Sequence, residues 1–252
     1  MPQLYLLTAP EQTRQAGQWG LPLAHLAYGM GQAALALTVG ALSLTARRGW
    51  MVLTDRLQPD EGDPAAFAAQ VEQECRRRQY SAVMADFERP ANDRAFAILS
   101  ALTRQGLPLI VPAVYGDALP GAQVLVDSAI SGGDWEDYLS AQLARWPGRV
   151  VLALHPLRMR FPLPCPGGEG TPLHAGELAQ ALDGRQSFFS RELACRYCTC
   201  READTFSFVL FDDATSLQYK LRLAGRHGVQ TAAALYPEVA GLLPELTAGQ
   251  VE

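Results

Sequence analysis

Residues 81–90 read SAVMADFERP, and the reading of this stretch decides the fold. Ala82, Val83, Met84, Ala85 and Phe87 are apolar and follow a charged segment that closes at Gln79 and Tyr80, which predicts a β-strand. Side chains alternate along a strand. Ala82, Met84, Asp86 and Glu88 therefore point one way, while Val83, Ala85 and Phe87 point the other. Two carboxylates come to lie side by side at the C-terminal end of the strand. Carboxylates set beside buried residues cost free energy unless they have partners or a chemical task. In the partner reading, Glu88 pairs with Arg89 or Arg94 and caps a helix that starts near Asn92. An acid-x-acid pair alone does not choose between the two.

On either side of this stretch, strand and helix patterns alternate. Strands are predicted at residues 4–7, 23–28, 50–54, 81–86, 109–114, 123–126, 150–154 and 231–235. Helices are predicted at 11–19 with Gly20 as the stop, 64–78 with Asp63 as N-cap, 92–105 with Gly106 beyond it, 135–146, and 216–227 with Gly228 beyond it. Residues 33–45 fit a helix or a strand pair equally, because their apolar run has no decisive period. A long excursion follows the seventh strand from 156 to about 204, and 206–211 reads as an extra strand inside or just after it. Eight core strands alternating with helices predict an α/β fold, a (β/α)8 TIM barrel with an insertion between the seventh and eighth strands. The domain reading is one barrel over 1–252 with its insertion at 156–204. A doubly wound open sheet is the rival, and it lacks a Gly-rich phosphate loop after the first strand.

The length of 252 residues matches the roughly 250 of such barrels. A net charge of −5 gives no electrostatic footprint for nucleic acid, and no basic helix suits an anionic membrane. The N-terminal MPQLYLLTAPEQ has no basic region and too short an apolar run for a signal peptide, so a cytoplasmic location is expected. Five cysteines include a Cys195, Cys198, Cys200 cluster that, with Cys165, has the number of ligands for zinc. A second CxxC arm and a suitably spaced His are missing, so metal-free thiols and no cofactor are expected.

Barrel enzymes keep their chemistry at the C-terminal ends of their strands. Tyr28, Asp55, Asp86, Glu88, Tyr115, Asp127, His155 and Tyr236 fall there. Any strand ends in something polar, so solvated rim residues are expected among them. Arg158 and Arg160, just after the seventh strand, fit either the lining of a cleft for an acidic glycan or the solvated rim. Asp212 and Asp213, ahead of Thr215 and Ser216, read as an N-cap arrangement rather than a catalytic pair.

With the strands placed, the sequence resembles the chitinase-like glycoside hydrolase family 18, especially its short bacterial members. Where that family's second strand reads like ITHINYAF, residues 23–30 read LAHLAYGM with His25 and Tyr28 in register. Where its fourth strand carries D-x-x-D-x-D-x-E, Asp86 and Glu88 match the last two acids. Where it often reads YDDPESLRLK, residues 211–220 read FDDATSLQYK, followed by Gly228 and a strand ending at Tyr236. Ser81 and Met84 stand where the motif has its first and middle Asp, and residues 123–128 hold Asp127 but lack the Tyr of an M-x-Y-D pattern.

The resemblance implies that Glu88 is the general acid and that Asp86 orients the substrate's 2-acetamido group, which supplies the nucleophile. It also implies a substrate-binding set of Tyr28, Asp55, Tyr115, Asp127, His155, Arg158 and Tyr236. Tyr28 or Tyr115 would replace the missing Tyr, and Tyr236 would replace a sugar-stacking Trp. The expected function is hydrolysis of N-acetylhexosamine-containing glycans such as chitin or peptidoglycan fragments. A catalytically silent glycan-binding barrel is the second reading. An unrelated metal- or phosphate-dependent barrel enzyme is the third, resting on convergence of Asp55, Asp86, Glu88, Asp127 and His155 at one mouth. The expected partner is an oligosaccharide, and the sequence leaves the oligomeric state open.

Overall fold

The computed structural model describes residues 1–42, 46–165, 167–202 and 205–248. In chain order the strands are β1 (Gln3–Thr8), β2 (Leu23–Met30), β3 (Leu37–Val39), β4 (Trp50–Thr54), β5 (Ala82–Asp86), β6 (Leu109–Pro112), β7 (Gln123–Asp127), β8 (Val150–Ala153), β9 (Arg158–Leu163), β10 (Thr171–Pro172), β11 (Phe188–Ser190), β12 (Cys195–Glu202), β13 (Thr205–Phe211) and β14 (Thr231–Leu235). The helices are α1 (Thr13–Ala16), flanked by two 3-10 turns, α2 (Pro64–Arg78), α3 (Asp93–Arg104), α4 (Trp135–Arg145), α5 (Ala175–Leu182), α6 (Ala214–Arg226), α7 (Tyr236–Val239) and α8 (Leu243–Ala248).

Among the described residues, eight parallel strands run in the order β1, β14, β8, β7, β6, β5, β4, β2, and the pairing of β2 with β1 closes the ring. This is the (β/α)8 barrel expected from the sequence, on the same eight strands. Alternation sorts the side chains. Ala82, Met84, Val52, Ile110 and Val151 fill the barrel, while Val83, Ala85, Met51, Leu53 and Val111 pack outward under the helices. The strands are apolar on both faces because both faces are covered. At the N-terminal end, Tyr5 stacks on Trp50 with ring centroids 3.8 Å apart and plugs the interior.

The helices begin where their caps dictate. The Asp63 carboxylate accepts from the Ala65 and Ala66 N–H groups, Asn92 from Ala95, Asp134 from Glu136 and Asp137, and Asp213 from Ser216. The second strand departs from the regular repeat. Within residues 31–49, the described part holds only β3, paired antiparallel to β2, and no helix. Residues 43–45, part of the stretch that fitted either helix or strand, lie outside the described residues.

The excursion after β8 folds into its own antiparallel sheet, ordered β10, β9, β13, β12, β11, which takes the extra strand of the sequence as its middle member. One face of this sheet buries Cys198, Cys200, Val209 and Phe211 with Ala181 of α5. Cys195 faces the other way, beside Leu157 and Leu210, so the three thiols do not converge on one point. Cys198 and Cys200 lie with their sulfurs 3.9 Å apart, and burial, then the neighbouring Cys200, pushes the Cys198 thiol up to about 11.

The excursion is pinned where it begins and ends. Leu157 N–H donates to Asp212 Oδ2 and Asp212 N–H donates back to the Leu157 carbonyl. Asp212 also accepts from Ser216 Oγ and from Lys220 Nζ at 2.7 Å, with both ionic side chains 0 % exposed. Removing one member of a buried ion pair leaves the other uncompensated, at a cost of about 3–5 kcal/mol. Lys220→Met should therefore lower unfolding stability by about that amount in urea denaturation, and the double variant Lys220→Met with Asp212→Asn should recover much of it. A loss below about 1 kcal/mol would mean that the pair does not hold the excursion to the barrel.

Candidate active site

At the C-terminal mouth of the barrel, β5 ends in Asp86 above buried Met84, and Glu88 follows on the same side. The two carboxylates line a cavity of about 350 Å³ together with Arg56, Asp127, His155 and Glu238. Its floor is apolar, made by Met84, Leu26, Leu125 and Ala233. Asp86 is half-buried and Glu88 exposed. Burial, then the charge of Glu88, raises the Asp86 pKa against the opposing pull of Arg56.

Across the ring, β7 and β8 deliver Asp127 and His155. His155 Nδ1 lies 3.5 Å from Asp127 Oδ2, and its Nε2 lies 3.7 Å from Glu238 Oε2. The hydrogen bond to Asp127 raises the His155 pKa; burial and Arg158 oppose this, and the charges of Asp127 and Glu238 reinforce it. Burial pushes Asp127 upward, but His155, the Ala129 N–H and the charge of Lys220 outweigh it and hold the carboxyl below its ordinary value. Ser128 fixes the backbone beneath them, since its hydroxyl accepts from His155 N–H at 3.1 Å while Trp135 Nε1–H donates to the Ser128 carbonyl. A second lobe of about 320 Å³ shares Asp127, His155 and Glu238 and adds Arg158 and His174. Arg158 is held by a bond from its Nη2 to the Glu238 carbonyl.

Asp86, Glu88, Asp127 and His155 thus meet at one mouth, with Arg158 beside them. Asp55 does not join them. It is buried just below, and its Oδ1 and Oδ2 accept from the Glu88 and Arg89 N–H groups at 2.9 and 3.2 Å. Arg160, on β9, does not line either lobe.

The three tyrosines pack elsewhere. Alternation from Leu26, which faces the interior, would turn Tyr28 inward as well. A register shift between Leu26 and Tyr28 turns it outward instead, where its hydroxyl meets Glu74 at 3.1 Å and Tyr80 at 2.9 Å. Tyr115 is buried in the helix layer, edge-on to Phe87. Tyr236 packs against the outer core containing Leu217 and Val239. Glu238, two residues beyond Tyr236, reaches the mouth and was missed by sequence reasoning. The rule that placed Tyr236, polar residues just past a barrel strand, applied to it equally. Among the described residues, no group of three or more His, Cys, Asp or Glu is arranged to hold a metal ion, and no helix is long and apolar enough to cross a membrane.

No family model and no curated protein matches the chain. Solved structures do match. A family 18 N-acetylglucosaminidase from Paenibacillus barengoltzii superposes with a TM-score of 0.65 at 13% identity, covering 99% of this chain and 100% of that one. A family 18 chitinase from Cycas revoluta, solved in complex with (GlcNAc)4, gives 0.63 at 13% identity over 99% of each chain. The spore cortex-lytic enzyme of Bacillus cereus gives 0.64 at 14% identity, covering 97% of this chain and 74% of that one. The barrel is the one these chitinase-like proteins share.

The imidazole at the mouth has a consequence for pH. A raised histidine pKa contributes stability below its ordinary value of 6.5 and loses it as pH rises through the raised one. A lowered Asp127 contributes above the ordinary carboxylate range and loses it as pH falls through the lowered value. The bridge is therefore complete in weakly acidic solution and opens on both sides. In a proton NMR titration His155 should titrate above 6.5, and Asp127→Asn should bring it down toward that value. An unchanged His155 titration in Asp127→Asn would show that the carboxylate does not hold the imidazolium.

Proposed function

We propose that the chain is a family 18-type glycoside hydrolase acting on N-acetylhexosamine-containing glycans, chitin-like or peptidoglycan-like. The observation that carries the reading is the pair Asp86 and Glu88 on one side of the mouth, with the backbone of Glu88 fixed by Asp55. In this reading Glu88 delivers a proton to the glycosidic oxygen as the bond to the leaving sugar breaks. The substrate's own acetamido oxygen closes on the anomeric carbon, and Asp86 accepts the acetamido N–H that gains positive charge. Water then opens that intermediate, with Glu88 taking the proton back and the configuration retained. The apolar floor beneath excludes water from the reacting face.

A donor to the acetamido oxygen is also required, and residues 123–128 lack the Tyr that the resembling family has there. Since none of Tyr28, Tyr115 and Tyr236 lines the cavity that holds Asp86 and Glu88, we assign that donor to His155, with Asp127 behind it. Arg158 and His174 extend the same wall toward a neighbouring sugar.

A second reading, a silent glycan-binding barrel, is favoured by Met84, which puts a thioether where an acid would share the proton. One set of measurements separates the two. In an active enzyme, Glu88→Gln should cut turnover of an aryl N-acetylglucosaminide oligomer by roughly 10²–10⁴-fold while glycan binding survives. His155→Gln should lower kcat more than it changes KM and should displace the alkaline limb of the pH profile. Wild-type binding without turnover on N-acetylated glycans selects the silent barrel. Equal turnover by wild type and Glu88→Gln would overturn the assigned chemistry, and the absence of any glycan binding would overturn both readings.

A further inference from the structure

On the outer wall of the barrel, away from the mouth, a hollow of about 900 Å³ opens between Thr13, Arg14 and Gly17 of the first helical turns, the start of β2 at Leu23 and His25, and residues 46–49. That volume falls within the range of small-molecule sites. Its charged lining residues are Arg14, Arg47 and Arg48, and among the described residues no carboxylate lines it. All three arginines are exposed, and none makes a side-chain hydrogen bond or ion pair among the described residues. In a chain of net charge −5 such a patch stands against the background.

A further observation points to a ligand. His25 on β2 lines the hollow and sits in register with Thr8 on β1, which does not line it. Both residues are buried, and among the described residues Thr8 Oγ1, His25 Nδ1 and His25 Nε2 make no hydrogen bond of good geometry, with the Arg48 backbone lying alongside the imidazole. Buried polar atoms in native folds are almost always paired, so three orphans on adjacent strands need an explanation. The groups facing the imidazole are the Tyr80 ring, with centroids 5.5 Å apart, Arg78 and the backbone of Arg48. Burial lowers the His25 pKa; the Arg48 backbone opposes this and the Arg78 charge adds to it.

The rim is held tightly against the barrel wall. Gly49, at φ +77, passes so close to β2 that a Cβ would meet the Leu23 carbonyl oxygen at 1.9 Å. Arg48 before it holds φ 66, a left-handed conformation that Gly or Asn adopts far more readily.

We propose that this hollow binds a phosphorylated small molecule. Its phosphate would be held by Arg14, Arg47 and Arg48, and its remainder would lie in the hollow toward His25. Guanidinium forks match the oxygens of a phosphate, and a group carrying close to two negative charges suits three neighbouring guanidinium groups better than a carboxylate does. Nothing in this inference depends on the reading of the mouth.

The test is calorimetric titration of the full chain with inorganic phosphate and with glucose 6-phosphate, using glucose and matched sodium chloride as controls. Saturable binding of a phosphate is expected, with none of glucose. Tighter binding of the sugar phosphate identifies an ester as the occupant, and equal binding identifies the free oxyanion as sufficient. The double variant Arg14→Ala, Arg47→Ala, whose melting temperature without phosphate should match wild type because both side chains are exposed, should lose at least about tenfold in affinity. The His25 imidazole should titrate at higher pH when the site is saturated. Absence of saturable binding, or equal binding by wild type and the double variant, overturns the proposal.

Discussion

Asp55 is all but inaccessible, yet both of its carboxylate oxygens are engaged, one by the Glu88 N–H and the other by the Arg89 N–H. Burying a carboxylate is tolerated when donors surround it. These donors belong to the turn that follows β5, so the conformation of that turn is set from the neighbouring strand. The lock is reciprocal. Arg94 of α3 reaches back to the Pro59, Glu61 and Gly62 carbonyls in the loop that follows Asp55. An acid from one loop holds the N–H groups of the other, and a base on the helix after the second holds the carbonyls of the first. The exposed side chain of Glu88 therefore departs from a fixed backbone, although it stands in a turn rather than on a strand.

The opposite side of the mouth depends on a similar arrangement. The excursion leaves the barrel at Leu157 and returns at Asp212, and those two residues hydrogen-bond to each other in both directions. Lys220 and Ser216 complete the coordination of Asp212 from α6. His155 stands two residues before this knot and is fastened to Ser128 at its backbone. An antiparallel sheet of five strands is thus carried on the rim without loosening the strand ends that face the cavity.

The eight strands were legible because each is a short apolar run ended by a polar residue, and because helix caps such as Asp63, Asn92 and Asp213 mark where the intervening helices begin. What was not legible follows from events that leave no periodic trace. The register shift at Leu26 and Tyr28 reverses the side to which Tyr28 points, and a single extra residue in a strand has no signature in an apolar pattern. Tyr115 and Tyr236 fall at strand ends in sequence, but a large ring is taken up by the helix layer when apolar surface is offered there. Asp55 was legible as a residue with a task. That the task is to hold backbone rather than substrate depends on the path of a turn 33 residues away in sequence. Glu238 was missed for the opposite reason, since a glutamate in a short helix reads as surface charge.

The acids of the mouth are separated by their surroundings more than by their chemistry. Asp86 and Asp127 are the same side chain at equivalent strand ends, yet one is pushed up and the other held down. Two such groups pushed apart can hold different protonation states at one pH, which acid–base chemistry requires. The cause on the β5 side is instructive. Met84 lies directly below Asp86, almost wholly buried, where the resembling motif has an acid. An acid there would raise its neighbour by like-charge repulsion. The thioether instead removes water from beneath Asp86, and burial is the largest cause of its upward shift. The replacement preserves the direction of the shift while changing its physical origin. Under the proposed reading no third carboxylate stands there to take the proton onward, so proton transfer on that wall would fall to Asp86 and Glu88.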